Sequence, residues 1–312
     1  MTSKNIPKFV QDGAFNWRVK GYHYILNEEE LLKVEQENDE NPWYVIAHVV
    51  EQAKLGDFSK CSYLSRFFDY NLSTNAAPVA MLITGDIGRF KDLKKLTDIM
   101  QNGSDGFRVY ACKAAANSGC MWMIPYMLEA WHMVEGVDAH ENIGYSIADL
   151  LDPINNLDDV GPIGSRASIY SNKVGGSRSN LKLKGLVERV RDKDADALFH
   201  EIVMNKFLYL KELYKSEQVI LWAGEERNVY GFAQFFLNLI TSNHFNLALT
   251  PLVVPLRQKF EAATGINCSS FFQNERFCQI EAVGILEYFL YSREVKKFQE
   301  NKRYYFGNLI DS

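Results

Sequence analysis

The sequence predicts an all-α fold, an α-α superhelix of helical hairpins followed by a mostly helical C-terminal module, and three observations carry it. Apolar residues recur at spacings of three and four through much of the chain, the period of a one-sided helix. Glycine and proline stand where such helices would start and stop. Between Ala80 and Met127 the pattern repeats at an offset of 31 residues, with Ala80 matching Ala111, Gly88 matching Gly119, Leu93 matching Ile124 and Leu96 matching Met127. A hairpin of two helices cannot bury its apolar face alone, so a period of this size implies stacked neighbours.

The elements follow in order. Asn41 suits an N-cap and Pro42 the first helical position, where its missing N–H would be unpaired in any case. Trp43, Ile46, Ala47, Val50 and Ala53 form the buried face, Gly56 ends the helix, and Ser59 opens a second helix through Cys61, Leu64, Phe67 and Phe68. Asn75 opens the next pair: Ala76, Val79, Ala80 and Ile83, a break around Gly85 and Gly88, then Phe90, Leu93, Leu96, Ile99 and Met100. Ser104 or Asp105 starts the copy through Phe107, Arg108, Ala111, Ala114 and Ala115, which breaks near Gly119 and continues through Met121, Ile124, Met127, Leu128 and Trp131. A partial third copy runs from Asp138 through Ile143, Ile147, Ala148 and Leu151 to Pro153.

From Asp152 to Gly185 turn residues replace the periodicity, and a loop of that length is either functional or a disordered connection. Helical spacing returns through Val187, Val190, Ala197, Leu198, Ile202, Phe207, Leu208 and Leu213, and again through Phe232, Phe235, Phe236, Leu239 and Ile240. Val219-Ile220-Leu221-Trp222 reads equally as a strand or a buried connector. Two more helices are expected, Leu256 to Thr264 ending at Gly265, and Glu281 to Tyr291 with Ala282, Ile285, Leu286 and Phe289 inward. The aromatic tail from Arg303 to Ile310 is expected to pack back on the body, since exposure would leave a large apolar patch. The divisions are thus an acidic N-terminal segment (1–41), repeats (42–152), a long loop (153–185) and a helical module (186–312).

With 312 residues, 47 % hydrophobic and 23 % charged, the chain has the balance of a folded protein rather than a disordered one. The N-terminus lacks the apolar core of a signal peptide and no later run of eighteen apolar residues exists, so a cytoplasmic protein away from membranes is expected. Five cysteines at irregular spacings read as reduced core thiols. Net charge is −5, and the stretch Asn27 to Asn41 carries seven acids against Lys33 alone. Such a segment repels phosphate backbones and attracts basic proteins, or else is a solvated helix face.

Catalytic and metal signatures are not found. No two of His23, His48, His132, His140, His200 and His244 stand four apart, and neither HExxH nor GxSxG occurs. Gly161-Pro162-Ile163-Gly164-Ser165 is too short for a phosphate loop and lacks its lysine; Gly175-Gly176-Ser177-Arg178 reads as a turn before an anion cradle. The chain is expected to be no enzyme, with no cofactor and no metal. A helical-repeat enzyme acting on nucleic acid would need a basic concave surface. Lys91, Lys94 and Lys95 are the nearest approach to one and read as a solubility patch.

The run Asp105-Gly106-Phe107-Arg108-Val109-Tyr110-Ala111-Cys112-Lys113-Ala114-Ala115, then Gly119 and Ile124-Pro125-Tyr126-Met127-Leu128, resembles the HEAT repeat, making the superhelix HEAT-like. Ala77 takes the arginine's place in the preceding copy. Further on, Leu256 to Ser269, Ile285 to Leu290 and Arg303-Tyr304-Tyr305-Phe306-Gly307-Asn308 resemble the closing module of bacterial HEAT-repeat immunity proteins. That resemblance implies a cytosolic protein that binds and neutralises a cognate toxin delivered by a competing cell. A general HEAT scaffold for another protein partner is the alternative. Glu37, Asp39, Glu40, Asp158 and Asp159 are the acids expected to face a basic partner.

Overall fold

The computed structural model describes residues 6–35, 41–68, 76–151, 183–187, 193–222, 224–226, 228–242, 245 and 250–310. The described chain is mostly helical. Its helices are α1 (Lys8–Gln11), α2 (Glu28–Glu35), α3 (Pro42–Lys54), α4 (Ala76–Ile87), α5 (Phe90–Asn102), α6 (Asp105–Ser118), α7 (Ile124–Met133) and α8 (Val137–Leu151). After these come α9 (Leu183–Val187), α10 (Lys193–Tyr214), α11 (Val229–Thr241), α12 (Thr250–Thr264) and α13 (Gln279–Tyr291). Three two-stranded antiparallel ribbons complete the described residues: β1 (Leu221–Trp222) with β2 (Glu225–Glu226), β3 (Phe272–Gln273) with β4 (Arg276–Phe277), and β5 (Tyr304–Tyr305) with β6 (Asn308–Leu309).

The chain forms two compact units, one of Met1–Lys95, Asn228–Thr241 and Thr250–Ser312, the other of Leu96–Arg227 and Ser242–Leu249. In the first, the Asn41 side chain accepts from Trp43 N–H at 3.1 Å and so caps α3, while Gly56, with φ +89°, ends its turn in the left-handed region. The segment Cys61–Phe67 is a 3-10 helix rather than the expected α-helix. Its apolar residues Cys61, Leu64 and Phe67 lie three apart, the period of the tighter helix, and all are buried. Nor does α4 break at Gly85; it continues to Ile87.

The tail does pack back, and the reason is specific. Helices leave their last carbonyls without partners, and the tail supplies donors to three of them. Arg303 donates to the carbonyls of Gly85, Gly88 and Asp86 at the end of α4. Phe306 and Gly307 N–H donate to Ala262 and Ala263 at the end of α12, at 2.7 and 2.9 Å. Asn308 Nδ2 donates to Lys54, the last residue of α3, at 2.9 Å. Tyr305 between them is wholly buried. The β5–β6 turn needs left-handed backbone at Phe306 (φ 49°) and Gly307 (φ 75°).

The second unit contains the best copy of the repeat. There α6 packs against α7 and α8, and α9 and α10 pack against α8. Asp105 and Arg108, the acidic and basic residues of that copy, act as fasteners. Arg108 donates to the Met100 and Gln101 carbonyls at the end of α5, at 3.1 and 3.2 Å, and Asp105 Oδ2 accepts from Glu135 and Gly136 N–H ahead of α8, at 3.1 and 3.2 Å. Gly119 ends α6 at φ +73°, and a Cβ there would meet the Leu221 carbonyl at 2.8 Å. Of residues 219–222, Leu221 and Trp222 form the strand, pairing with Glu226 and Glu225, while Ile220 makes an isolated bridge to Cys120. Most of the loop expected at 153–185 lies outside the described residues, which resume at Leu183 with α9.

Candidate functional site

The acids singled out from the sequence, Glu37, Asp39, Glu40, Asp158 and Asp159, lie outside the described residues. Their acidic neighbour α2 is described, and one of its carboxylates is structural. Glu30 is buried; its Oε2 accepts from Asn27 N–H at 3.1 Å, its own N–H donates to Asn27 Oδ1 at 2.9 Å, and its Oε1 accepts from Phe9 N–H at 3.0 Å. This reciprocal capping box also pins the N-terminal segment.

Within the first unit a buried polar network surrounds Arg257 and Glu261, neither of which is exposed. Arg257 donates to Glu261 Oε2 from Nε and Nη2 at 3.2 and 3.1 Å, and to the carbonyls of Trp17 and Val19 at 2.5 and 3.3 Å. Glu261 Oε1 accepts from Tyr22 N–H at 2.6 Å. Gly21 lets this happen, because a Cβ there would sit 2.5 Å from Glu261 Oε1. Asp86 Oδ2 accepts from Tyr22 Oη and from Gln258 Nε2, both at 2.6 Å. Burial pushes the Asp86 carboxyl up to about 6, against the pull of those two hydrogen bonds and of Arg303. The bonds of Arg257, Glu261, Asp86 and Gln258 tie the N-terminal segment down, with Phe9, Phe15, Trp17 and Tyr22 in the core. It reads as architecture rather than chemistry.

Among the described residues two solvent-facing features bear on binding. The first is the outer side of α13. Ala282, Leu286 and Phe289 point inward, while Ile280, Tyr288 and Tyr291 are 84 %, 75 % and 89 % exposed on the opposite face. Gly284 stands between Ile280 and Tyr288, one turn from each, and a Cβ added there would meet nothing within 4 Å. A glycine in mid-helix costs roughly 1 kcal/mol against alanine, and no crowding among the described residues requires it here. Large exposed apolar residues are unremarkable singly, but a stripe of two tyrosines and an isoleucine flanking a glycine notch has the composition of a docking surface.

The second is a cavity of about 250 Å³ in the second unit, lined by Trp131, His132, Val134, Glu135, Gly136, Val137, His140 and Asp196. Trp131 in its lining packs against His140 and Phe199 in tilted ring contacts, at 4.1 and 4.6 Å between ring centroids. His132 Nε2 lies 2.8 Å from His200 Nδ1. Burial first, and then the neighbouring imidazoles, hold His132 below its ordinary value; burial does the same to His140, with Asp196 opposing in both. Sequence spacing did not reveal this grouping, since His132, His140 and His200 come from α7, α8 and α10. Only the 3.6-residue period of α10, placing Asp196 and His200 on one face, was legible.

Among the described residues no helix is long and apolar enough to cross a membrane. The cysteines Cys61, Cys112, Cys120 and Cys268 are buried thiols and Cys278 is half-buried, with no disulfide among them. Burial pushes the Cys61 thiol up to about 12 and raises those of Cys112 and Cys268 well above their ordinary value, which keeps them protonated and inert. No protein-family model matches the chain, and comparison with curated proteins and with solved structures returns no significant match.

Proposed function

We propose that the chain is a cytoplasmic protein-binding scaffold, and specifically an immunity protein that neutralises a cognate toxin of a bacterial competition system. The observation that carries the binding reading is the exposed stripe of Ile280, Tyr288 and Tyr291 around Gly284. It lies on α13, the helix that also holds Ile285 to Leu290, one of the three segments on which the immunity resemblance rests. Tyrosine is a preferred anchor at interfaces because it buries much area at small entropic cost. The paired helices α6, α7 and α8, extended as a HEAT-like superhelix, supply further surface for a large partner.

An immunity protein must hold its toxin at nanomolar affinity or better, about −12 kcal/mol, which needs roughly 800 Å² buried on each side. Three anchors cannot furnish that area, but as hot spots they can carry much of the energy, about 2 kcal/mol or more each. The acidic residues near 37–40 and 158–159 would add long-range attraction for a basic toxin, raising the association rate at low salt. Co-expression with a candidate toxin from the neighbouring gene tests the proposal: the expected result is growth rescued by the wild type and lost with Tyr288→Asp and Tyr291→Asp combined. Rescue undiminished by those changes removes α13 as the docking face, and failure of the wild type to rescue removes the immunity reading in favour of a general scaffold.

A further inference from the structure

The histidines of the second unit form an arrangement that the binding reading does not use. His132 on α7 and His200 on α10 are both exposed at their edges, and they present ring nitrogens to one another across 2.8 Å. The rings are not stacked; their centroids are 5.0 Å apart at 42°. Asp196, one turn before His200 on α10, lines the same cavity as His132, and its charge raises the affinity of His132 and His140 for positive charge. Trp131, in tilted ring contact with His140, lines the same cavity.

We propose that His132 Nε2 and His200 Nδ1 are the two protein ligands of a divalent late transition-metal ion, of the Cu²⁺ or Ni²⁺ type. Neutral imidazole suits these ions, and their affinities stand high in the divalent series. With metal–nitrogen bonds of about 2.0–2.1 Å, two ligands on one ion stand roughly 2.9–3.4 Å apart. The 2.8 Å hydrogen bond brings the two nitrogens within a small side-chain rotation of that separation. Among the described residues no three His, Cys, Asp or Glu side chains converge on one point, so water or a partner's side chain completes the coordination. Asp196 acts as a nearby counter-charge.

The bookkeeping of protons is simple. With both imidazoles neutral, one ring carries the inward hydrogen that makes the 2.8 Å contact. On binding, that ring moves its hydrogen to the outward nitrogen, both inward lone pairs face the ion, and no proton is released. Protons compete with the ion for the imidazole lone pairs, so affinity falls with acid.

Tag-free full-length protein titrated with Ni²⁺ at pH 7.5 by calorimetry tests this, alongside His132→Gln, His200→Gln and Asp196→Asn. Expected are one ion per chain in the wild type, a loss of affinity of about tenfold or more in each histidine variant, and a smaller loss in the aspartate variant. Mg²⁺ and Ca²⁺, which seek oxygen ligands, should not bind. Paramagnetic resonance of the Cu²⁺ form should show coupling to two imidazole nitrogens in the wild type and to one in either histidine variant. Both histidines are at the surface, so thermal melts matching the wild type confirm that the variants are folded. Ni²⁺ binding unchanged in either histidine variant, or no binding by the wild type, would overturn the assignment and leave the pair as a hydrogen bond between α7 and α10.

Discussion

Replacing Arg257 with methionine should destabilise the first unit more than any other single change in its polar network. The guanidinium is wholly buried and makes four hydrogen bonds, two to Glu261 Oε2 and one each to the carbonyls of Trp17 and Val19. Methionine fills much of the volume but leaves Glu261 as a buried carboxylate whose other oxygen holds only Tyr22 N–H. Removing one partner of a buried pair costs about 3–5 kcal/mol, because the remaining charge stays desolvated. Total stabilities are about 5–15 kcal/mol, so the loss is a large fraction of the whole. Burial already raises the Glu261 carboxyl, with Arg257 the first of the groups opposing it; without Arg257 that carboxyl should take up a proton at higher pH still. Urea unfolding at pH 7, followed by tryptophan fluorescence in a background that keeps Trp17 and Trp43 and carries phenylalanine at Trp122, Trp131 and Trp222, measures the cost. Limited proteolysis should also cut the variant between Gln11 and Tyr22, where the wild type resists. A double replacement, Arg257→Met with Glu261→Met, should recover about 1–3 kcal/mol relative to the sum of the singles. A loss below about 1 kcal/mol in the single variant, with the N-terminal segment still protected, would refute the idea that this pair anchors it.

Other consequences follow from the same contacts. Asp86, raised to about 6, contributes stability that is fully present below the unfolded value of 3.8 and is lost as pH rises through 6, on the order of 3 kcal/mol; Asp86→Asn should abolish that slope in unfolding measurements between pH 4 and 7. His23, held near 4 by burial and then by Lys54, works in the opposite sense, its contribution present above 6.5 and lost as pH falls toward 4, so the difference between variant and wild type is the quantity to compare. Arg108→Ala should lower stability by about 1–3 kcal/mol, since the Met100 and Gln101 carbonyls lose a charged donor, and thermal melting reads it. Gly284→Ala should raise stability by about 0.5–1 kcal/mol while weakening binding of the proposed partner, a combination that a purely structural glycine would not give.

Punctuation was the most legible part of the fold. Asn41-Pro42, Gly56, Gly119 and Gly265 each mark a helix end through local chemistry, and each stands where a helix begins or stops. The 3-10 segment at Cys61–Phe67 differs from expectation because residues three apart serve either helix type, and only tertiary packing decides. The N-terminal segment was hidden for a different reason. Its partners are far away in the chain, Tyr22 with Glu261 and Trp17 with Arg257, and no local period announces such contacts. The tail's aromatic content foretold burial, but not that Arg303, Phe306, Gly307 and Asn308 would satisfy the ends of three helices. At the candidate sites, the inward face of α13 was legible from Ala282, Leu286 and Phe289, whereas the stripe opposite it gains meaning only once those three are seen to be buried. His132 and His200 are 68 residues apart, and only the packing of α10 near α7 joins them.

Affinity between this chain and the candidate toxin sought in its neighbouring gene, measured by calorimetry with the wild type and with Tyr288→Asp/Tyr291→Asp, bears most directly on the proposed function. A nanomolar complex that weakens by about a hundredfold or more in the double variant, the variant's melting temperature unchanged, is the expected result. No complex with the wild type, or a complex indifferent to both tyrosines, would contradict it.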